Sequence, residues 1–114
     1  MMTAKEARTV QLSAIKDKYN EECSYIENMI KEHTLNGKSC CIYDLETRLY
    51  NYFGTGSICH LITSNLRNFL KTNGYFIEMV KSNNGIGRGM AISWDKEITN
   101  FSLMNTNYCL IKKI

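Results

Sequence analysis

At 114 residues the chain suits a single domain and buries only a small core, so association between copies would add to its stability. Hydrophobic residues make up 44% and charged residues 22%, which excludes a disordered chain, and the longest apolar runs are far too short to span a bilayer. The net charge of +3 is uneven, −1 through Gly37 and +4 from Lys38 onward, a lean toward an anionic partner that falls short of a dedicated nucleic-acid binder.

The first element is a helix. Thr3 and Glu6 in TAKE form a capping box, and apolar residues then recur at helical spacing from Ala4 through Val10, Ile15, Tyr19, Cys23 and Ile26 to Ile30. Asn36-Gly37 stops the run, with Gly37 suited to the left-handed position past the last turn. The first half of this helix, through Lys18, carries a thin apolar stripe, so it is expected to pack on a partner's helix as an oligomerisation arm.

KSCCIY, residues 38–43, reads as a strand. DLETRLYNYF, residues 44–53, is ambiguous, with Asp44 placed to cap a short helix. After the flexible GTGS stretch, Ser57 is placed to cap a second helix. Ile58, Leu61, Ile62, Leu66, Phe69 and Leu70 lie at helical spacing, and Asn73-Gly74 is the stop. YFIEMVK, residues 75–81, alternates as a strand, Asn84-Gly85 marks a turn, and MAISW, residues 90–94, returns. The tail offers a further strand over 107–112. The expected fold is α+β. A long N-terminal helix and a second helix pack on a small, mainly antiparallel sheet, with 1–37 as a helical arm and 38–114 as the α+β body of one domain.

Three of these pieces, TAKEAR, NGKSCCIYDL and NGYFIEMVKS running on to ISW, stand in an order that resembles a broad group of small bacteriophage-encoded proteins. In that group an N-terminal helix is followed by a GYxV turn-strand and an ISW strand, and the resemblance covers roughly residues 3–95. The insert RLYNYFGTG and the tail after Trp94 depart from the pattern. The resemblance implies a viral accessory protein acting in the cytoplasm of a bacterial host, where such proteins inhibit host machinery or defence by binding. One such class, the counter-defence sponges, forms oligomers that sequester a nucleotide immune signal. No catalytic residues carry over.

The chemistry-bearing residues fit a binding protein better than an enzyme. In SNNGIGRG, residues 82–89, the glycines Gly85, Gly87 and Gly89 would let backbone amides turn inward on an anion, with Arg88 clamping it. The pattern is GxGxG between two strands, though, and a mobile hairpin loop is the first reading. Arg67 and Lys71 lie four apart on one face of the second helix and would join an anion site if that face meets the loop; a solvated face is the plainer reading. Tyr50, Tyr52 and Phe53 beside GTG offer either a stacking platform or core packing.

Five cysteines, Cys23, Cys40, Cys41, Cys59 and Cys109, form no CxxC pair, and MMTAKEART lacks the apolar stretch of a secretory leader. Free, mostly structural thiols in a reducing compartment are expected, with no cofactor and no metal. Asp44, Glu46, Glu78, Asp95 and Glu97 are the acids after Gly37, and they form no motif for hydrolysis. The ligand site expected from the sequence is therefore Arg88, Gly85, Gly87, Gly89, Arg67, Lys71, Tyr50 and Tyr52. The expected partners are a second copy of the chain, a cyclic or other small nucleotide or a host protein, and no membrane.

Overall fold

The computed structural model describes residues 1–104 and 106–111. Helix α1 spans Ala4–Leu35, about 48 Å at 1.5 Å per residue, in a molecule measuring 54 × 30 × 21 Å. The Thr3 hydroxyl accepts from the amide of Glu6 at 3.1 Å, which fixes the start. At the end Gly37 takes φ +76°, and the amides of Gly37 and Lys38 return to the carbonyls of Thr34 and His33, so the last turn closes on itself. The His33 ring donates from Nδ1 to the Met29 carbonyl at 2.8 Å. Residues 1–14 are exposed throughout, and the helix meets the body from Ile15 onward.

Strand β1, Cys40–Asp44, leads into a short helix, α2, that opens as a π-helical turn over Glu46–Tyr50 and closes with one α-helical turn over Asn51–Phe53. Asp44 starts it as the sequence suggests: one carboxylate oxygen accepts from the amides of Glu46 and Thr47 and the other from the Thr47 hydroxyl. Helix α3, Ser57–Thr72, begins one residue earlier than a Ser57 cap requires. Ser57 is already helical, Gly56 takes the cap position, and no side chain caps the turn. Strands β2, Phe76–Ser82, β3, Arg88–Ser93, and β4, Tyr108–Leu110, complete the sheet. The last strand falls within the expected 107–112 segment, of which Lys112 lies outside the described residues.

The fold is α+β. Its sheet runs in the order β1-β3-β2-β4 with every neighbouring pair antiparallel. Alternation along the strands gives each face its own core. Cys41, Tyr43, Ile77, Met90 and Ile92 face the helices, where α3 delivers Cys59, Ile62, Leu66 and Leu70 and α1 delivers Ile26. Each of the aliphatic side chains on α3 contributes about 2 kcal/mol by leaving water. Tyr75 and Trp94 pack edge to face beside them, with ring centres 6.4 Å apart. The opposite face is covered as well, because Ile98 and Leu103 of the segment after β3 close over Val80 and Ala91. The tail that the sequence left without a role is therefore a lid on the second face.

What seats α1 is a buried carboxylate. Glu22 is fully buried, and its Oε1 accepts from the Tyr43 hydroxyl at 2.7 Å and from Arg48 Nε at 2.7 Å. Its Oε2 accepts from Arg48 Nη2 at 2.6 Å, and the ammonium of Lys18 stands 3.6 Å away. The Arg48 guanidinium also lies over the Tyr25 ring at 3.8 Å. Burial pushes the Glu22 carboxyl up, but the hydrogen bonds from Arg48 and Tyr43 and the two positive charges outweigh it and hold the group below its ordinary 4.5.

Replacing Glu22 with alanine is expected to destabilise the fold by about 3 kcal/mol in urea titrations, toward the low end for a broken buried pair, because Arg48, with 27% of its side chain exposed, can rehydrate. The folded carboxyl is the stronger acid, so its stabilisation is complete above pH 4.5 and is lost as pH falls through the lower folded value. Wild-type stability should drop over that acid window, and Glu22→Gln should show a shallower drop. Equal slopes would remove Glu22 from its place as the acid-sensitive joint.

Candidate functional site

One face of α3 is polar at four-residue spacing: Cys59, Thr63 and Arg67 follow one another a turn apart, with His60 and Ser64 beside them. Against this face stand Tyr50 from α2, Thr55 from the turn before α3, and Met79 from β2. Together they enclose a cavity of about 210 Å3. The elements meet here because Ile62, Leu66 and Leu70 bury the neighbouring stripe of the helix on the sheet, which turns Arg67 inward at the margin of the core.

The Nε of Arg67 is buried and has no hydrogen-bond partner, and among the described residues no other buried side-chain nitrogen or oxygen is left in that state. Guanidinium stays charged under all ordinary conditions, so the group cannot shed its proton to relieve this. Thr63 donates its hydroxyl proton to the Cys59 carbonyl at 2.8 Å. Burial pushes the Cys59 thiol up, with the Thr63 contact working against it, so the cavity wall carries a neutral thiol. Burial likewise raises the Tyr50 phenol, which stays a proton donor, while the charge of Arg88 opposes the rise.

Arg88 begins β3 and pairs with Lys81, and it lies on the same sheet face as Met90 and the cavity residue Met79. Its Nη1 donates to the carbonyls of Gly85, at 3.2 Å, and Gly87, at 3.4 Å. The amides of the 82–89 stretch are also taken up within the chain. Asn83 donates to the Asn107 carbonyl, Asn84 to the Ser82 hydroxyl, Gly85 to the Ser82 carbonyl and Ile86 to the Asn84 side chain. The amides of Asn83 to Ile86 therefore do not turn inward as an open nest, because Asn107, Ser82 and Asn84 accept from them around the Gly85 turn, at φ +82°. Gly89 belongs to β3 and not to the loop. A Cβ there would stand 3.1 Å from both Ile42 Cγ2 and the Tyr43 carbonyl, so its glycine serves strand packing.

Of the residues marked in the sequence, the structure brings Tyr50 and Arg67 together and sets Arg88 on the same side of the sheet. Lys71 is exposed one turn beyond Arg67 and does not line the cavity. Tyr52 is 69% exposed and lies with its ring 3.8 Å from the Lys18 ammonium. Sequence reasoning missed Thr55, Thr63, Ser64 and Met79; the four-residue spacing of Cys59, Thr63 and Arg67 beside the apolar stripe of the helix was the signal available. Cys41 is buried and its thiol is pushed up to about 12, and burial also raises Cys23 and Cys40, as suits structural thiols.

Among the described residues no three His, Cys, Asp or Glu side chains gather in a way that would hold a metal ion. No helix among them is long and apolar enough to cross a membrane. No protein family, curated protein or solved structure matches the chain.

A buried N–H without a partner costs about 1–3 kcal/mol. Arg67→Met, which keeps most of the apolar stem and removes that group, is therefore expected to leave the urea midpoint unchanged or raise it. A loss of more than about 1 kcal/mol would show instead that the guanidinium is held by the fold.

Proposed function

We propose that this chain is a non-enzymatic accessory protein of bacteriophage type that acts in the cytoplasm of a bacterial host, where it binds and sequesters an anionic nucleotide immune signal. The observation that carries the reading is Arg67, whose side chain lines the cavity with Tyr50 and whose buried Nε has no hydrogen-bond partner. A fixed positive charge with a free donor is a standing site for a phosphoryl oxygen, and a guanidinium meets two such oxygens at once. The charge of Arg88 acts on the Tyr50 phenol of the cavity wall, and the loop carbonyls that now accept from Arg88 are neutral, so an anion would attract it more strongly. The resemblance to small phage proteins agrees with a stoichiometric role. So does the exposed first half of α1, with Val10 and Leu12 in water, which would join copies into an oligomer.

Direct binding to a host protein is the second reading, and the exposed Phe101 and Met104 on the segment after β3 favour it. Native mass spectrometry of protein purified from cells with an active nucleotide-signalling defence separates the two. The expected result is an oligomer carrying a releasable nucleotide. Arg67→Ala should lose about 1.5–3 kcal/mol of binding, roughly 10- to 150-fold in affinity, with an unchanged circular-dichroism melt. An oligomer without an adduct that captures a defence protein through Phe101 and Met104 would replace this reading with the second.

A further inference from the structure

We infer that the occupant of the Arg67 cavity is a single phosphoryl group, and that the nucleoside attached to it lies outside, in the groove along the first two turns of α3. The ligand class is then a nucleoside monophosphate, one per chain. The inference rests on the reading of the cavity as an anion site and adds to it the size and layout of what is bound.

Volume is the first argument. At about 210 Å3 the cavity is smaller than the roughly 300 Å3 at which pockets begin to enclose whole drug-sized ligands. It has room for a phosphoryl group and part of a sugar, and not for a base as well. Charge is the second. The cavity holds one guanidinium, and Arg88 outside it is engaged by the carbonyls of Gly85 and Gly87. A phosphoryl monoester carries about −1.5 to −2 near neutral pH, which one arginine offsets only in part, and each further phosphate would add charge to this enclosed space with no second arginine or lysine in the lining to meet it. The groups that donate are suited to one tetrahedral anion: Arg67, the Tyr50 phenol and the Ser64 hydroxyl.

Continuity is the third. A shallow groove of about 570 Å3 runs on from the cavity, and Thr55, His60 and Ser64 line both. Beyond that shared wall it is floored by Gly56, Ser57 and Leu61, and Leu61 leaves 49% of its surface in water. An exposed leucine beside an imidazole gives a flat apolar and aromatic bed for a base, and backbone at Gly56 lets a sugar approach closely. A phosphoryl group seated at Arg67 would have its ester oxygen at this mouth.

The test is titration calorimetry of the full chain with four probes: AMP, adenosine, inorganic phosphate and cyclic di-AMP. AMP is expected to bind one per chain, at least 100-fold more tightly than adenosine. Inorganic phosphate should bind more weakly than AMP and displace it competitively. Arg67→Ala, checked for folding by circular dichroism, should lose at least tenfold in AMP affinity. Cyclic di-AMP binding tenfold tighter than AMP, without displacement by phosphate, would overturn the monophosphate inference and leave the anionic-nucleotide reading standing. Phosphate as tight as AMP would overturn the groove. Adenosine as tight as AMP, or no binding by any probe, would overturn both readings.

Discussion

A carboxylate sealed from water is the constraint on which the arrangement depends. Glu22 has no exposed surface, and a charge in that position costs several kcal/mol unless it is met on every side. The groups that meet it come from three elements: Tyr43 from β1, Arg48 from α2 and Lys18 from α1 itself. Sliding or turning α1 would break the fork between Arg48 and both carboxylate oxygens. Hydrophobic contacts along the second half of α1 set its affinity for the body, whereas this carboxylate sets its position. The π-helical turn that supplies Arg48 also supplies Tyr50 two residues later, so the wall of the cavity is held by the same joint.

Three arginines of the body show three different fates of one chemistry. Arg48 is matched by a carboxylate and a tyrosine ring and acts as structure. Arg88 rests on two carbonyls of its own loop, contacts weak enough to exchange for better ones. Arg67 has its Nε buried with nothing to bond. A domain this small has little stability to spare, so a standing deficit of this kind carries more weight than a cavity of the same size lined by satisfied groups. The contrast separates Arg67 from the other cations more firmly than position along the chain does.

Much of the fold was legible because it depends on local rules. The capping threonine at Thr3, the glycine stops at Gly37 and Gly74, and the four-residue spacing of Ile62, Leu66 and Leu70 all work over a turn or two of helix. The joint at Glu22 was not legible in the same way. In KYNEECS it reads as one more charge on a polar helix, and its partner Arg48 stands 26 residues away. The cover over the second face was hidden for a related reason. Ile98 and Leu103 stand in a segment whose Phe101 and Met104 stay exposed, and only the sheet behind them makes the first two a core. The split between Arg67 and Lys71 was equally invisible. Four residues apart they share a face by periodicity, but the cavity lies at one level of the helix and takes only the first.

The fate of SNNGIGRG follows from the same distinction between local and distant partners. A glycine-rich hairpin binds an anion only if its amides are left without acceptors, and this loop brings acceptors with it. Ser82 and Asn84 take the amides of Asn84, Gly85 and Ile86, and Arg88 donates to the carbonyls of Gly85 and Gly87. The more local polar groups a loop contains, the more completely it satisfies itself, and the less it offers a ligand. Arg67 is in the opposite position. Helical backbone has used up its own amides and carbonyls, so a side chain turned into a cavity from the middle of α3 finds no loose backbone group to accept from it. The donor that stays free is the one whose surroundings are most regular, and the site is assembled from α2, α3 and β2 instead of from one contiguous motif.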